Sequence, residues 1–379
     1  MLWIHILVGF LFLENIATVR VCETFSDYFV KNSKKCWNNT DAELNAYKKV
    51  KIVQMVCKIK YFNFLAHVLN EMGYDVWLVN FRGTRYSTGH EYLTVDNLEY
   101  WSFSFHEMGI YDLPKALNLV LKTTNKRSIY IGYSMGTTVS YVFSSELPVE
   151  ASSYLKGIIS LAPVAHLSKI KSILKYGAPF WPMIKPAVTF IWKGKVLPRN
   201  DAKGKFCGKD VTNMYICEFI KVPIFGDDYE QMDPVNRPVI NILNPDTIGI
   251  NVVTHYDQII NSGKFQQKDF GRTKNIEIYD APKPPVYNLS NINIPVSLFV
   301  GPNDWLATPK VSKGNILEIT SAKCNLRYIA HKKWSHGDFI TAKDIKPLLN
   351  DLVAIEITNI ELCSINQVRQ DYTTTNLLK

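Results

Sequence analysis

Residues 128–138 read Ser-Ile-Tyr-Ile-Gly-Tyr-Ser-Met-Gly-Thr-Thr, and this stretch decides how the chain folds. A short β-prone run, Ser128–Ile131, leads into Gly-x-Ser-x-Gly, and a helical pattern follows Gly136. A strand that turns into a helix within a few residues needs glycines, because side chains there would collide with neighbouring elements. A chance match in a loop would lack this strand–turn–helix context. The pattern predicts a nucleophile elbow with Ser134 as the nucleophile, beside a helix N-terminus that favours developing negative charge.

Strand and helix patterns alternate on both sides of this motif. The other predicted elements are a helix over Phe64–Glu71, a strand over Tyr74–Asn80, a helix capped by Asp112 that runs to Leu121, strands over Gly157–Leu161, Pro295–Val300 and Leu326–Ile329, and a helix from Asp344 to about Ile355. Such alternation is typical of a mainly parallel sheet covered by helices on both faces.

The alternation is lost between Ala165 and Pro285, where apolar helical pieces are separated by prolines. It resumes at the Pro295–Val300 strand. We therefore predict that residues 165–285 are an inserted cap over the active-site end of the sheet. Residues 22–164 and 286–379 then form the core domain.

The first residues of the chain form an apolar run. Met1–Leu13 is almost wholly apolar and is broken by Glu14 and Asn15, so it is too short to span a bilayer. No other stretch approaches the ~20 apolar residues that a membrane-spanning helix needs. The run predicts a secretory signal peptide over residues 1–21, and a buried N-terminal element is the alternative. A signal peptide predicts a secreted protein, or alternatively a lysosomal one.

The composition of the 379-residue chain, with 47% hydrophobic and 12% aromatic residues, is sufficient for a globular core. The seven cysteines suit an oxidising compartment, and the odd number leaves at least one outside intrachain pairing. Asn38 and Asn288 begin glycosylation sequons. The net charge of +9 is spread along the chain, which is compatible with anionic lipid surfaces and unlike a nucleic-acid-binding module. No Cys/His cluster indicates a metal, and no cofactor is implied.

A serine nucleophile needs a base, and the base needs an anion that fixes its tautomer. On a strand–helix scaffold of this kind, the acid and then the histidine follow the serine on loops after late strands. Asp304 follows the Pro295–Val300 strand and His336 follows the last strand, so we predict them as acid and base. The alternatives are Asp338 as the acid, and as the base His331, close to the strand end, or His255 and His166, in the cap and at its root.

Several further segments complete a recognisable pattern. They are Gly73-Tyr-Asp-Val-Trp-Leu, Arg82-Gly83, Glu99-Tyr-Trp-Ser-Phe-Ser-Phe-His-Glu-Met-Gly, Tyr111-Asp-Leu-Pro114, Leu161-Ala-Pro-Val, Tyr287-Asn-Leu-Ser, Asn303-Asp-Trp-Leu-Ala307 and His336-Gly-Asp-Phe339. On these segments, which extend from about Asn63 to the C-terminal helix, the chain resembles the acid lipases, the gastric and lysosomal lipase family, and especially their insect members.

The resemblance implies an α/β-hydrolase fold with a mainly parallel sheet and an inserted helical cap. It implies hydrolysis of the ester bonds of neutral lipids, triacylglycerols or cholesteryl esters. It places the catalytic triad on Ser134, Asp304 and His336, and it implies a disulfide in the cap between Cys207 and Cys217.

The chain departs from this family in two places. Tyr133 and Met135 replace the His and Gln of the mammalian elbow, a mild change because Met135 needs only its backbone N–H to bind the oxyanion. The family also has an Asp-Gly-Tyr strand segment and a His-Gly oxyanion loop before its first helix, but this chain has no glycine between Gly9 and Gly73. We expect the N-terminal strands and the oxyanion loop to be missing, as in a truncated gene product. Alternatively, Lys51–Met55 replaces a strand and another backbone N–H serves.

Three functions follow from these observations. The first is a lipase that acts by acyl transfer on lipid esters at a lipid–water interface. The second is a catalytically impaired lipid-binding or carrier protein of hydrolase fold, since the triad is present and the oxyanion loop is not. The third is a serine hydrolase of other substrates, an esterase or a peptidase. Apolar cap segments such as Tyr215–Ile220 serve either as an acyl groove or lid, or as packing between cap helices.

Overall fold

A central β-sheet organises the protein. The computed structural model describes residues 5–9, 40–44, 47–54, 64–84, 86–196, 206–207, 209–233, 247–318 and 323–362. Its strands are β1 (His5–Gly9), β2 (Thr40–Leu44), β3 (Tyr47–Gln54), β4 (Asp75–Val79), β5 (Ser128–Tyr133), β6 (Leu155–Leu161), β7 (Lys195–Val196), β8 (Ile248–Gly249), β9 (Val296–Val300) and β10 (Lys323–Tyr328). Eight of them form one sheet in the order β10-β9-β6-β5-β1-β4-β3-β2, and β7 pairs with β8 in a separate sheet.

The main sheet is mainly parallel, as predicted. From β10 to β4 every neighbouring pair runs parallel, whereas β3 is antiparallel to both β4 and β2 at the other edge. All six residues of β5 are buried, as expected for a parallel strand with both faces covered. The strand that carries the elbow is therefore held firmly in the centre of the core.

Helices connect these strands. They are α1 (Leu65–Glu71), α2 (Leu113–Thr124), α3 (Met135–Glu146), α4 (Pro148–Tyr154), α5 (Trp181–Trp192), α6 (Val211–Phe225), α7 (Ile250–Ser262), α8 (Arg272–Tyr279), α9 (Pro309–Glu318) and α10 (351–362). Shorter helical turns lie at Leu98–Trp101, Phe105–Glu107, Met108–Asp112, Leu174–Gly177, Ala178–Phe180, Tyr229–Gln231, Leu289–Asn291, Asp338–Thr341 and Lys346–Asn350. The predicted core elements match this order, with bounds that differ by a few residues. In the described ranges, no helix has the length and apolarity that crossing a membrane requires.

Asp112 does not cap α2, contrary to the prediction. Its carboxylate accepts hydrogen bonds from the Arg82 backbone N–H at 3.1 Å and from Nε at 2.9 Å, and both side chains are buried. The helix start needs no side-chain cap there, because the Leu113 N–H already bonds to the Met108 carbonyl oxygen. Desolvation raises the pKa of Asp112, and the Arg82 charge opposes this rise. The pair ties the turn after β4 to α2.

The chain between β6 and β9 makes a long excursion out of the sheet. The two strands are direct neighbours, with Ile158 opposite Val296. Between them lie α5 to α8 and the β7–β8 pair, none of which joins the main sheet. Cys207 and Cys217 form a disulfide here, as the resemblance implies. This order fits an inserted cap, and its bounds at residues 165 and 285 stay predictions.

Contrary to the expectation that N-terminal strands are missing, this part of the chain contributes β1, β2 and β3. Residues 51–54 belong to β3, in agreement with the alternative in which this stretch replaces a strand. β1 lies inside the predicted signal peptide, residues 1–21, and pairs with β4 and β5 in the middle of the sheet. The signal peptide stays a prediction, but its cleavage would remove this strand. The predicted absence of the oxyanion loop falls outside the described residues.

Candidate active site

The Gly-x-Ser-x-Gly segment forms a sharp turn between β5 and α3. Ser134 occupies the turn with φ 51° and ψ −118°, a conformation that L-residues rarely adopt and that costs about 1–3 kcal/mol. A Cβ on Gly132 would lie 2.8 Å from the carbonyl carbon of Gly136 and 2.8 Å from the Tyr130 ring. Glycine is therefore required at this position, as the sequence predicted.

Hydrogen bonds on both sides hold this strained turn. The Ser134 N–H donates to the Leu161 carbonyl oxygen at the end of β6, at 3.0 Å. The Ser134 carbonyl oxygen accepts from Thr137 Oγ1 at 2.6 Å, and the same hydroxyl accepts from the Val164 N–H at 2.9 Å. The serine is thus fixed by the neighbouring strand as well as by its own helix.

The structure brings Ser134, His336 and Asp304 together. His336 Nε2 lies 2.8 Å from Ser134 Oγ, and His336 Nδ1 lies 2.8 Å from Asp304 Oδ2. An ionised carboxylate only accepts hydrogen bonds, so Nδ1 carries the proton and Nε2 is free to accept the serine proton. Ser134 is 8% exposed, His336 1% and Asp304 0%, which keeps water from competing for these bonds.

The other oxygen of Asp304 is also fixed. Oδ1 accepts from the backbone N–H groups of Leu306 at 2.8 Å and Ala307 at 2.7 Å. These bonds orient the carboxylate so that Oδ2 faces the imidazole. The Asn303–Ala307 loop after β9 therefore positions the anion through its own backbone.

Two aromatic residues hold His336, and sequence reasoning identified neither. The Tyr133 hydroxyl donates to the His336 carbonyl oxygen at 2.9 Å, and burial raises the pKa of Tyr133 well above its usual value, so it stays a donor. The Phe225 ring, at the end of cap helix α6, stacks on the imidazole at 5.5 Å with an interplanar angle of 8°. The Phe225 carbonyl oxygen accepts from the His336 N–H at 3.1 Å. Only the position of Tyr133 next to the serine offered a signal.

Met135 opens α3 directly after the serine. The first N–H groups of a helix have no partner within the helix, which makes this amide a candidate donor to an oxyanion. Met135 also lines a small cavity between the turn after β4 and the cap. The other lining residues are Arg82, Gly83, Thr84, Phe103, Met108, Thr247, Ile248, Gly249 and Val252. Its role as an oxyanion donor stays a prediction.

The alternative acids and bases lie in other environments. His255 lies 2.8 Å from the Gln266 carbonyl oxygen through Nε2 and stacks on Phe105, and burial lowers its pKa to about 3, which suits a structural histidine. His166 packs edge-on against Phe265. Asp338 accepts from the Ser335 N–H at 2.6 Å. His331 contacts Asp228 in the cap.

Only one of the two predicted glycosylation sites lies within the described residues. Asn288 is exposed, and its Oδ1 accepts from the Ser290 hydroxyl at 2.7 Å. Asn38 lies outside the described residues. Glycosylation at both positions stays a prediction.

Among the described residues, one group of three side chains has the chemistry to hold a metal ion, and it consists of Asp228, Glu230 and His331.

Comparisons with known proteins show which family this chain is similar to. Residues 58–186 match the alpha/beta hydrolase fold family. A soluble variant of monoglyceride lipase from Saccharomyces cerevisiae, solved with a substrate analogue, superposes with a TM-score of 0.50 at 14% identity over 86% of this chain and 96% of that one. At this identity the likeness shows the fold alone.

Two curated relatives are more similar to this chain in sequence than that lipase structure is. Gastric triacylglycerol lipase from Bos taurus is 32% identical over 77% of this chain and 74% of its own length. Lipase 3 from Drosophila melanogaster is 32% identical over 78% of this chain and 76% of its own length. Both relatives are more than 30% identical to this chain over more than two thirds of either length, and the chain therefore belongs to the acid lipase family of α/β-hydrolases, the family of the gastric lipases.

Proposed function

We propose that this protein is a lipase that hydrolyses the carboxylic ester bonds of neutral lipids, triacylglycerols or cholesteryl esters, by Ser-His-Asp acyl transfer. The observation that carries the proposal is the unbroken chain of hydrogen bonds from Ser134 through His336 to Asp304, 2.8 Å at each step. Membership in a family that includes gastric triacylglycerol lipase supports the substrate class.

The reaction proceeds in two halves. Ser134 Oγ attacks the ester carbonyl while His336 Nε2 takes its proton, and Asp304 stabilises the imidazolium. The Met135 N–H donates to the oxyanion. The imidazolium then protonates the departing alcohol, which leaves an acyl-enzyme. Water, deprotonated by His336, attacks this ester and releases the fatty acid and the free serine.

The cap surface supports action at a lipid–water interface. Helix α5 is apolar yet has no buried residue, and Phe190 is 87% and Met183 77% exposed. The described residues 165–196 contain six lysines and no acidic residue. Exposed apolar patches mark interaction sites, and each lysine near an anionic lipid surface adds about 1 kcal/mol of attraction. We define the cap surface as Tyr176, Phe180, Met183, Ile184, Phe190 and Ile191.

The double substitution Met183→Ser/Phe190→Ser tests this surface. We expect the rate on emulsified triacylglycerol to fall roughly ten-fold or more, because burial of each large apolar side chain contributes about 1.5–3 kcal/mol. Turnover of a soluble short-chain ester should not change. The control is Val149→Ser on α4, which is 78% exposed outside the cap. Equal losses on both substrates, or a loss in the control, would contradict interfacial docking through α5.

A fluorophosphonate probe tests the nucleophile. We expect the wild-type protein to be labelled once per chain, because an activated serine attacks the phosphorus, and Ser134→Ala to remain unlabelled. Ser153→Ala, at an exposed serine on α4, should label like the wild type. A folded wild-type protein that resists labelling would favour the lipid carrier instead. Labelling combined with turnover of soluble esters but not of emulsified lipid would favour the non-lipid hydrolase.

Secretion belongs to the same proposal, with lysosomal targeting as its alternative. The Cys207–Cys217 disulfide and the exposed Asn288 sequon support an oxidising, glycosylating route. A smaller mass loss on N-glycosidase treatment of Asn288→Gln than of the wild-type protein tests whether this sequon is used.

A further inference from the structure

A short strap from the cap crosses the loops that carry the acid and the histidine. The strap, residues 225–232, leaves α6 through Gly226, where a Cβ would collide with the carbonyl oxygen of Asn303. Asn303 Nδ2 donates to the Asp227 carbonyl oxygen at 2.8 Å, and the Lys343 N–H donates to the Gln231 carbonyl oxygen at 2.8 Å. The strap is therefore held against the loop after β9 and against the segment that follows the Asp338–Thr341 turn.

The path of the strap places two of its carboxylate side chains beside a histidine of the core domain. Asp228 and Glu230 meet His331, which lies five residues before His336 on the same loop. One ligand atom from each of the three lies within 4.8 Å of the others. We propose that these side chains bind a divalent transition-metal ion, with Zn²⁺ as the best match, and that the ion joins the cap strap to the histidine loop.

Two buried ligand atoms support the proposal independently. Asp228 Oδ2 and His331 Nε2 are 2.7 Å apart, yet their geometry makes no hydrogen bond, and neither atom has another hydrogen-bond partner. The Asp228 side chain is fully buried, and its other oxygen accepts from the Gln231 N–H. A buried carboxylate oxygen without a hydrogen bond is destabilising. A cation that accepts both lone pairs would satisfy both atoms at once.

The donor set indicates which ion fits. One imidazole nitrogen with two carboxylates suits Zn²⁺, whereas Ca²⁺ and Mg²⁺ prefer oxygen ligands alone. Water would complete a tetrahedral site. Glu230 now pairs with Lys333 at 2.6 Å, and both side chains are more than half exposed. Such a surface pair contributes little, so Glu230 can turn to the ion, and Lys333 acts as a competitor.

The expected consequence is a stiffer histidine loop. The strap begins at Phe225, whose ring stacks on His336 and whose carbonyl oxygen accepts the His336 N–H. An ion that fixes Asp228 to His331 would restrain the strap and the histidine loop close to this contact. The residues are positioning residues, because none of them touches the serine or the ester.

Zinc titration of the untagged, chelator-treated full-length chain tests the site. Calorimetry should show one Zn²⁺ per chain, no binding of Mg²⁺, and a rise in Tm of roughly 3–6 °C at a hundred-fold excess over Kd. Asp228→Asn keeps the acceptor for the Gln231 N–H and should abolish binding, as should His331→Gln. Lys333→Gln should lower Kd about three- to ten-fold by releasing Glu230. Lys346→Gln, which breaks a comparable surface pair with Asp351, should leave Kd unchanged.

Binding that survives both Asp228→Asn and His331→Gln would overturn the site, as would a wild-type chain that takes up no zinc. The apo Tm of each variant shows whether it is folded, so loss of binding is separable from loss of structure. The readouts are stoichiometry, Kd and Tm, and they stand whether or not the protein hydrolyses lipid esters.

Discussion

Asp304→Asn is expected to lower kcat for a soluble ester by about 10⁴-fold and to leave the fold intact. The reason lies in the two backbone bonds to Oδ1, from Leu306 and Ala307. They will hold the oxygen of the new amide, so its NH₂ group must face His336. The imidazole then has to accept at Nδ1 and carry its proton on Nε2, the tautomer that cannot take a proton from Ser134.

The alternative assignment, with Asp338 as the acid of the triad, gives this measurement a matched comparison. Asp338→Asn alters the other acidic residue of the histidine loop, whose carboxylate accepts from the Ser335 N–H rather than holding the imidazole. We expect this variant to keep kcat within about ten-fold, and Asp351→Asn, at a half-exposed residue far along the chain from the triad, to match the wild type. Circular dichroism and Tm establish that each variant is folded. A ten-thousand-fold loss in Asp338→Asn with an active Asp304→Asn would reverse the roles of the two carboxylates.

The residues of the candidate site were predictable because their signals are local. Gly132, Ser134 and Gly136 lie within one pentapeptide, and its flanking strand and helix confirmed the turn type. Asp304 follows the buried strand β9 and His336 follows the edge strand β10, and parallel strands end at one edge of the sheet, so the topology alone brings them near the elbow. Family resemblance added the substrate class, which no local pattern contains.

Contacts made by generic groups could not be predicted. Phe225 holds His336 through a backbone carbonyl that every residue possesses, from a cap segment more than a hundred residues away. Asp112 stands before a proline-containing helix and looks like a cap, but Arg82 offers it a stronger, charge-assisted partner. The pairing of Asp228 with His331 likewise depends on the path of the strap, which only the folded chain reveals.

If β1 is part of the native sheet, refolding of a chain that lacks residues 1–21 is expected to give no cooperative unfolding transition, whereas the full chain gives one. β1 (His5–Gly9) pairs with β4 on one side and β5 on the other, with Gly9 opposite Gly132 next to the elbow. Its removal leaves two unpaired edges in the middle of a parallel sheet. At about 1 kcal/mol per hydrogen bond, the loss on both sides is comparable with the 5–15 kcal/mol that stabilises a whole domain.

This experiment also decides between the two interpretations of the N-terminus. If residues 1–21 are a cleaved signal, the mature protein begins near residue 22, and the shortened chain should refold and react with the fluorophosphonate probe like the secreted protein. N-terminal sequencing of the secreted form gives the same answer independently. A proline in place of Leu7 removes one N–H from the ladder of a central strand, so it should destabilise the protein if β1 is retained and have no effect on the mature fold if it is not.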